Sequence, residues 1–186
     1  MRRRRKDNMD MNEIDSRRHE LLDALRQELN EGQVAAVVTK DEGQPEMVNA
    51  ILDELGDRDM GVAGDFFFRP IQDEDDAAWV FLSVFTITNE IPAERLQPLY
   101  EAMSYINFNI PVGHFCIDKD HKFLTYISSS LIPADLEDDE IFREMDIAVG
   151  NAFATSDSYI NILTDVLKGT IGPEGVVEFL GGPAEA

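Results

Sequence analysis

A single cysteine, Cys116, is all the chain carries, so no disulfide can close within it and a reducing cytoplasm is the expected setting. Only three histidines are present, which leaves few ways to build a zinc site or supply an imidazole base. Positive charge is scarce too: 16 Lys and Arg stand against 37 Asp and Glu, for a net of −21. The body of the chain is more acidic still. Residues 1–19 hold seven of the basic residues but four of the acidic ones, leaving a net of −24 on the rest. Such a surface repels phosphate backbones and anionic lipid, so neither nucleic acid nor membrane is expected as a partner. The run Arg2–Lys6 reads as a solvated basic tail rather than a nucleic-acid arm. No stretch approaches the ~18 apolar residues of a membrane span, and no apolar signal segment follows the arginines.

What is present is the composition of an ordinary globular chain. With 186 residues, 44% hydrophobic and 28% charged, it can bury a core without staples. The expected organisation is a flexible basic tail over 1–14, one domain over 15–170 and a C-terminal tail over 171–186. Leu21, Leu22, Leu25 and Leu29 recur at helical spacing and predict an amphipathic helix from about Asp15 to Gly32. Residues 33–40 suit either a continued helix or a short strand. In 46–56, Met47, Ile51 and Leu55 suit a helix, while Met47, Asn49 and Ile51 suit alternation. From Gly61 the pattern turns to strand, with Phe66–Phe68 before Pro70 and an acidic turn at 72–76. In 77–91, Trp79, Phe81, Ser83, Phe85 and Ile87 share one face and Val80, Leu82, Val84 and Thr86 the other. Both faces are largely apolar, which predicts a strand that is central or covered on both sides.

A helix follows over 91–111, with its main part starting at Pro98 and Leu99, Met103, Ile106 and Ile110 as its stripe. Two strands, 112–119 and 121–133, make a hairpin. A long helix over 135–168 has acidic residues crowding its N-terminus, where the helix dipole favours them, and a break is expected at Thr155–Ser158. Strands paired by hairpins, with the helices segregated to one side, make an α+β domain.

The stretch HFCIDKDHKFLTYISSS (114–130) gathers most of the chemistry-bearing residues, and each reaction class fails on it in turn. Asp118 and Asp120 begin a calcium-loop pattern, but Lys122 takes the next ligand position and no glycine follows. His114 and Cys116 share one strand face with His121 nearby, without the paired spacings of a zinc motif. No nucleophile elbow surrounds Ser128–Ser130, and a lone strand cysteine is usually a small packed hydrophobe. No catalytic residue, cofactor or metal is expected. The stretch reads as a hairpin with a polar turn.

LQPLYEAMSYINFNIPVGHFCIDKDHKFLTYISSSLIP (96–133), followed by the long acid-capped helix, resembles the YbjN family, related in fold to the class I type III secretion chaperones (the Tir-chaperone-like fold). INFN closes a helix, GHFCID opens a strand, and KFLTYI returns; the resemblance spans about residues 60–168. It implies the order α-β-β-β-α-β-β-α, an antiparallel sheet with helices packed on one side, and a strand at 46–54. It also implies a small dimeric domain that binds proteins or regulates, without catalysis. In the related chaperones the helix between the third and fourth strands meets its mate across a two-fold axis. Here that helix is 97–109, so Leu99, Tyr100, Met103, Ile106 and Phe108 are the expected homodimer or partner interface, with Tyr100 as an anchor. The expected function is a non-enzymatic protein-binding, chaperone-like or regulatory domain acting on a protein client. The competing expectation is a small-molecule-binding regulatory domain with a pocket around His114, Cys116 and Tyr126, in the 112–127 hairpin.

Overall fold

In the computed structural model the described residues are 11–70, 78–118, 120 and 123–181. Helix α1 (Met11–Glu31) starts four residues before the expected Asp15, because Ile14 adds one more buried position to the face of Leu21, Leu22 and Leu25. The stretch 11–14 is therefore helical rather than tail. The chain leaves α1 through Gln33, at φ 66°, with the Val34 N–H donating to the Leu29 carbonyl at 2.8 Å.

Strands β1 (Ala35–Thr39), β2 (Met47–Leu55), β3 (Met60–Phe68) and β4 (Ala78–Thr88) follow. Both ambiguous segments are thus strands. In β2 the inward positions Val48, Ala50 and Leu52 are buried while Ile51 is exposed, a period of two that a helix would scramble. A 3-10 turn (Ala93–Arg95) leads into α2 (Leu96–Asn109), which takes Pro98 in its first turn, where a missing N–H costs nothing. Strands β5 (His114–Asp118) and β6 (Phe123–Pro133) form the expected hairpin. Helix α3 (Asp138–Lys168) is continuous. The Thr155–Ser158 stretch does not break it: Ser156 faces the core and the Ser158 hydroxyl donates to the Ala154 carbonyl at 2.8 Å. The Glu140 carboxylate accepts the Glu137 N–H at 3.2 Å to close a capping box, and Gly169 at φ 73° ends the helix. A last helix, α4 (Pro173–Phe179), lies in what the sequence suggested was tail, held by the buried Val176.

The class is the expected α+β, and its antiparallel sheet is larger than the resemblance implied. Six strands run in the order β1-β2-β3-β4-β6-β5, with four rather than three before α2. The core lies between this sheet and the helices. Trp79, Phe81, Phe85, Phe66, Phe115 and Tyr126 project from the strands into it, and Phe85 meets Phe66, Tyr126 and Phe153 of α3 at ring distances of 5.5–6.4 Å.

Polar ties hold the helical layer in register. Arg17 of α1 donates to the Ala134 carbonyl at 3.0 Å and pairs with Asp138 at the start of α3. Arg18 lies 4.9 Å from the Trp79 ring centroid and donates to the Arg69 carbonyl at 3.1 Å. At the β2–β3 turn, Arg58 forks onto both oxygens of Asp165 at 2.7 and 2.8 Å, and Asp157 accepts the Gly56 N–H at 2.8 Å. The acidic turn expected at 72–76 falls outside the described residues.

Candidate functional site: the open face of the sheet

Residues alternate between the two faces of a strand, and directly opposed partners on neighbouring strands share a face, so the register spells out each surface row by row. The face turned away from the helices has a first row of Thr39, Met47, Phe67, Leu82 and Ser129. The second row is Val37, Asn49, Asp65, Val84, Ile127 and His114. The third is Ala35, Ile51, Ala63, Thr86, Thr125 and Cys116, and Val80 and Leu131 pair beyond the first.

Among the described residues no helix packs on these rows, since the buried positions of β2, β3 and β4 all lie in the other phase of the alternation. Val37, Ile51 and Leu131 are 58%, 51% and 73% exposed. Of the two alternatives for β4, central or covered on both sides, the first holds: it lies inside the sheet, and among the described residues the helices stack on one face only.

Charge is sparse on this surface: beyond the three rows lie Asp53 of β2, on the side of Gly61, and Asp118 of β5, opposite Phe123. Asp65 is the one carboxylate in the three rows, and its Oδ1 accepts from the Asn49 side-chain amide at 2.7 Å. The Asn49 Oδ1 in turn accepts from the Thr39 hydroxyl at 2.5 Å, a polar thread across three strands. Cys116 Sγ and Thr125 Oγ1 are 3.1 Å apart in a second cross-strand contact. What the arrangement can do chemically is bury apolar area against a complementary surface, with a few fixed hydrogen-bonding groups to set register.

Among the described residues His114, Cys116 and Tyr126, expected to share a pocket, do not come together on one face. His114 and Cys116 lie on the open face, as their spacing predicts, but Tyr126 pairs with Phe115 and points into the core. The Tyr126 hydroxyl donates to the Val112 carbonyl at 2.7 Å, and burial pushes its phenol above the ordinary tyrosine value of 10.0. The serine run is likewise split: Ser128 faces the core opposite Ser83, while Ser129 faces out. At the hairpin turn, Asp118 accepts the Asp120 N–H at 2.9 Å, and His121 and Lys122 lie outside the described residues. Among the described residues no three His, Cys, Asp or Glu side chains gather as metal ligands.

The structure places the residues of the expected α2 interface in different surroundings. Leu99, Met103 and Ile106 are 0–4% exposed within the chain's own core, because α2 packs against β5, α3 and α4 rather than presenting its stripe outward. Tyr100 is half-buried against that core. Phe108 alone stands free, 90% exposed beside a groove of about 460 Å³ lined by Tyr105, Asn109, Val177 and Leu180. The outward rows of the sheet were not singled out as a site, although the second apolar face of 77–91 was their signal.

Comparison with known proteins adds little to this geometry. No family model matches the chain, and no curated protein matches it. Among solved structures it is similar to the crystal structure of YbjN, "a putative transcription regulator from E. coli", at 13% identity. That match covers 74% of this chain and 89% of the other, with a TM-score of 0.42. Likeness of this degree transfers no function. Among the described residues no helix is long and apolar enough to cross a membrane.

Proposed function

We propose that the chain is a non-enzymatic protein-binding domain and that the open face of the sheet is its binding surface. One observation carries the reading: across its strands the face presents Val37, Ile51, Phe67, Leu82, Val84 and Leu131, with Asp65 the one carboxylate of its three central rows, on a chain with a net of −21. A sheet face meant only for water alternates apolar with charged or polar positions, whereas this one reads like half of a sandwich core. Contiguous apolar surface of this extent marks an interaction site on a protein. The surrounding acidic surface keeps the domain and any bound apolar segment in solution.

The test is suppression of aggregation of reduced insulin, whose liberated B chain is an extended apolar polypeptide. The parent should slow the rise in turbidity, and a Leu82→Glu variant with an unchanged far-UV spectrum should lose most of that effect. A parent without effect, or a variant equal to it, overturns the reading.

A further inference from the structure

We propose that in the resting protein a second copy of the chain covers this face, sheet against sheet. The inference rests on the face being a protein interface and names its occupant.

Three observations favour a second copy. The first is area. Six strands of five to eleven residues, at ~4.8 Å spacing and ~3.4 Å rise, give a face of roughly 800 Å² in all, the amount each partner contributes to a standard stable interface. The second is shape. Two copies carry the same twist by construction, so their faces can stack over the whole area in the aligned packing that twisted sheets adopt. A single helix laid on the same face would cover a strip of about 10 Å.

The third observation is charge. The exposed carboxylates Glu13, Asp15 and Glu20 of α1 and Asp139, Glu144 and Asp146 of α3 belong to the helical layer. Stacking the sheets about 10 Å apart leaves the two helical layers on opposite outer sides, on the order of 30 Å from each other. That is several Debye lengths at physiological salt, ~8 Å each, so the repulsion between two acidic bodies is largely screened. Pairing through α1 or α3 would bring those carboxylates together instead. Within the sheet interface Asp65 is the sole carboxylate of the three central rows, already hydrogen-bonded by Asn49, and Asp53 and Asp118 lie beyond those rows at the ends of β2 and β5. Self-association also gives a client a competitor: an apolar segment binds the face of the monomer, and the dimer holds that face dry until one arrives.

The experiment is light scattering behind a sizing column on the full chain, loaded from low to high micromolar. The parent should rise from 20.9 kDa toward twice that mass. Leu82→Glu should hold the mass at the monomer value throughout. Leu131→Glu serves as the second variant, because that side chain is 73% exposed and tolerates a charge without unfolding; it should weaken the dimer at least tenfold. Phe108→Glu, at the other apolar patch, should dimerise as the parent does. A parent that stays monomeric at every loading overturns the proposal, as does a dimer that survives both sheet-face variants or disappears in Phe108→Glu. A monomeric parent that still protects insulin through Leu82 removes the dimer and leaves the binding reading intact. A Leu82-dependent dimer without insulin protection keeps the proposal and removes the client-binding reading.

Discussion

The two faces of β4 are both apolar, and the fold uses them in opposite ways. Toward the helices stand Trp79, Phe81, Ser83 and Phe85, all at 2% exposure or less. Away from them stand Val80, Leu82, Val84 and Thr86, each partly open to solvent. The aromatic rings fill the gap between sheet and helices; the aliphatic face is flatter and shorter in reach, which suits packing against another sheet. Hydrophobicity on a strand face thus says that the face is to be covered, but not by what.

The comparison is broken or sharpened most strongly by truncating each face in turn. Phe85→Ala opens a hole among Phe66, Tyr126 and Phe153 and should cost about 3–5 kcal/mol in urea unfolding. Leu82→Ala on the opposite face, measured on the monomer, should cost less, about 1–2 kcal/mol, since a side chain partly open to solvent leaves a smaller cavity. Equal costs would mean that the outer face is covered within the single chain.

A smaller effect is expected where the inner face is anchored to the hairpin. Gly113 has φ 74°, and a Cβ there would collide with the Tyr126 hydroxyl and come within 2.7 Å of the Ile127 carbonyl. Gly113→Ala should therefore destabilise by about 1–3 kcal/mol. A thermal scan showing no loss would place that strain elsewhere.

Tyr126→Phe removes the hydrogen bond to the Val112 carbonyl, at a cost of about 1 kcal/mol at neutral pH. The pH dependence has a definite sign. Burial favours the neutral phenol in the folded state, so this contribution is intact below the unfolded value near 10.0 and is lost as pH rises beyond it. The parent should lose stability above that pH faster than Tyr126→Phe. Parallel alkaline melting curves for the two proteins would refute the assignment.

The smallest effect is at the surface. Arg58 holds the Asp165 carboxyl below the ordinary value of 3.8 through their forked contact. A lowered carboxylate adds stability above its unfolded value and loses it as pH falls through the folded one. Arg58→Ala should lower the melting temperature slightly at neutral pH, and the difference from the parent should close in acid. A gap that persists at pH 2 would assign it to lost packing of the arginine stem rather than to charge.

Local signals carried much of this fold. The leucine spacing of α1 marked a helix, the acidic start and terminal glycine marked α3, and Pro98 marked the first turn of α2. The 114–130 stretch was legible as a hairpin because its alternation is clean and its turn is polar. The open face was only half legible: Val80, Leu82 and Val84 were visible as apolar, but an apolar strand face reads the same whether a helix, a second protein or water covers it. Residues 33–40 and 46–55 stayed ambiguous, because a few apolar residues in a short run satisfy both helical and strand periods. Pairing of Val48 with Phe66 and Ala36 with Ala50 across three strands settles them as strands, and those contacts join residues distant in sequence.

By itself, then, the sequence determined the acidic character, the α+β class and which side chains share a face, since charge and periodicity are properties of neighbouring residues. Which face the helices cover was decided only in three dimensions. Ties such as Arg17 to Asp138 and Arg58 to Asp165 join residues distant in sequence but add little to the crossings that bring α1, α2 and α3 to the Trp79–Phe85 side. Those crossings depend on rings from four strands filling one shared gap. The same crossings took Leu99, Met103 and Ile106 into the core and left Leu82 and Leu131 outside it, because burial is a property of the assembled layers and no single segment contains it.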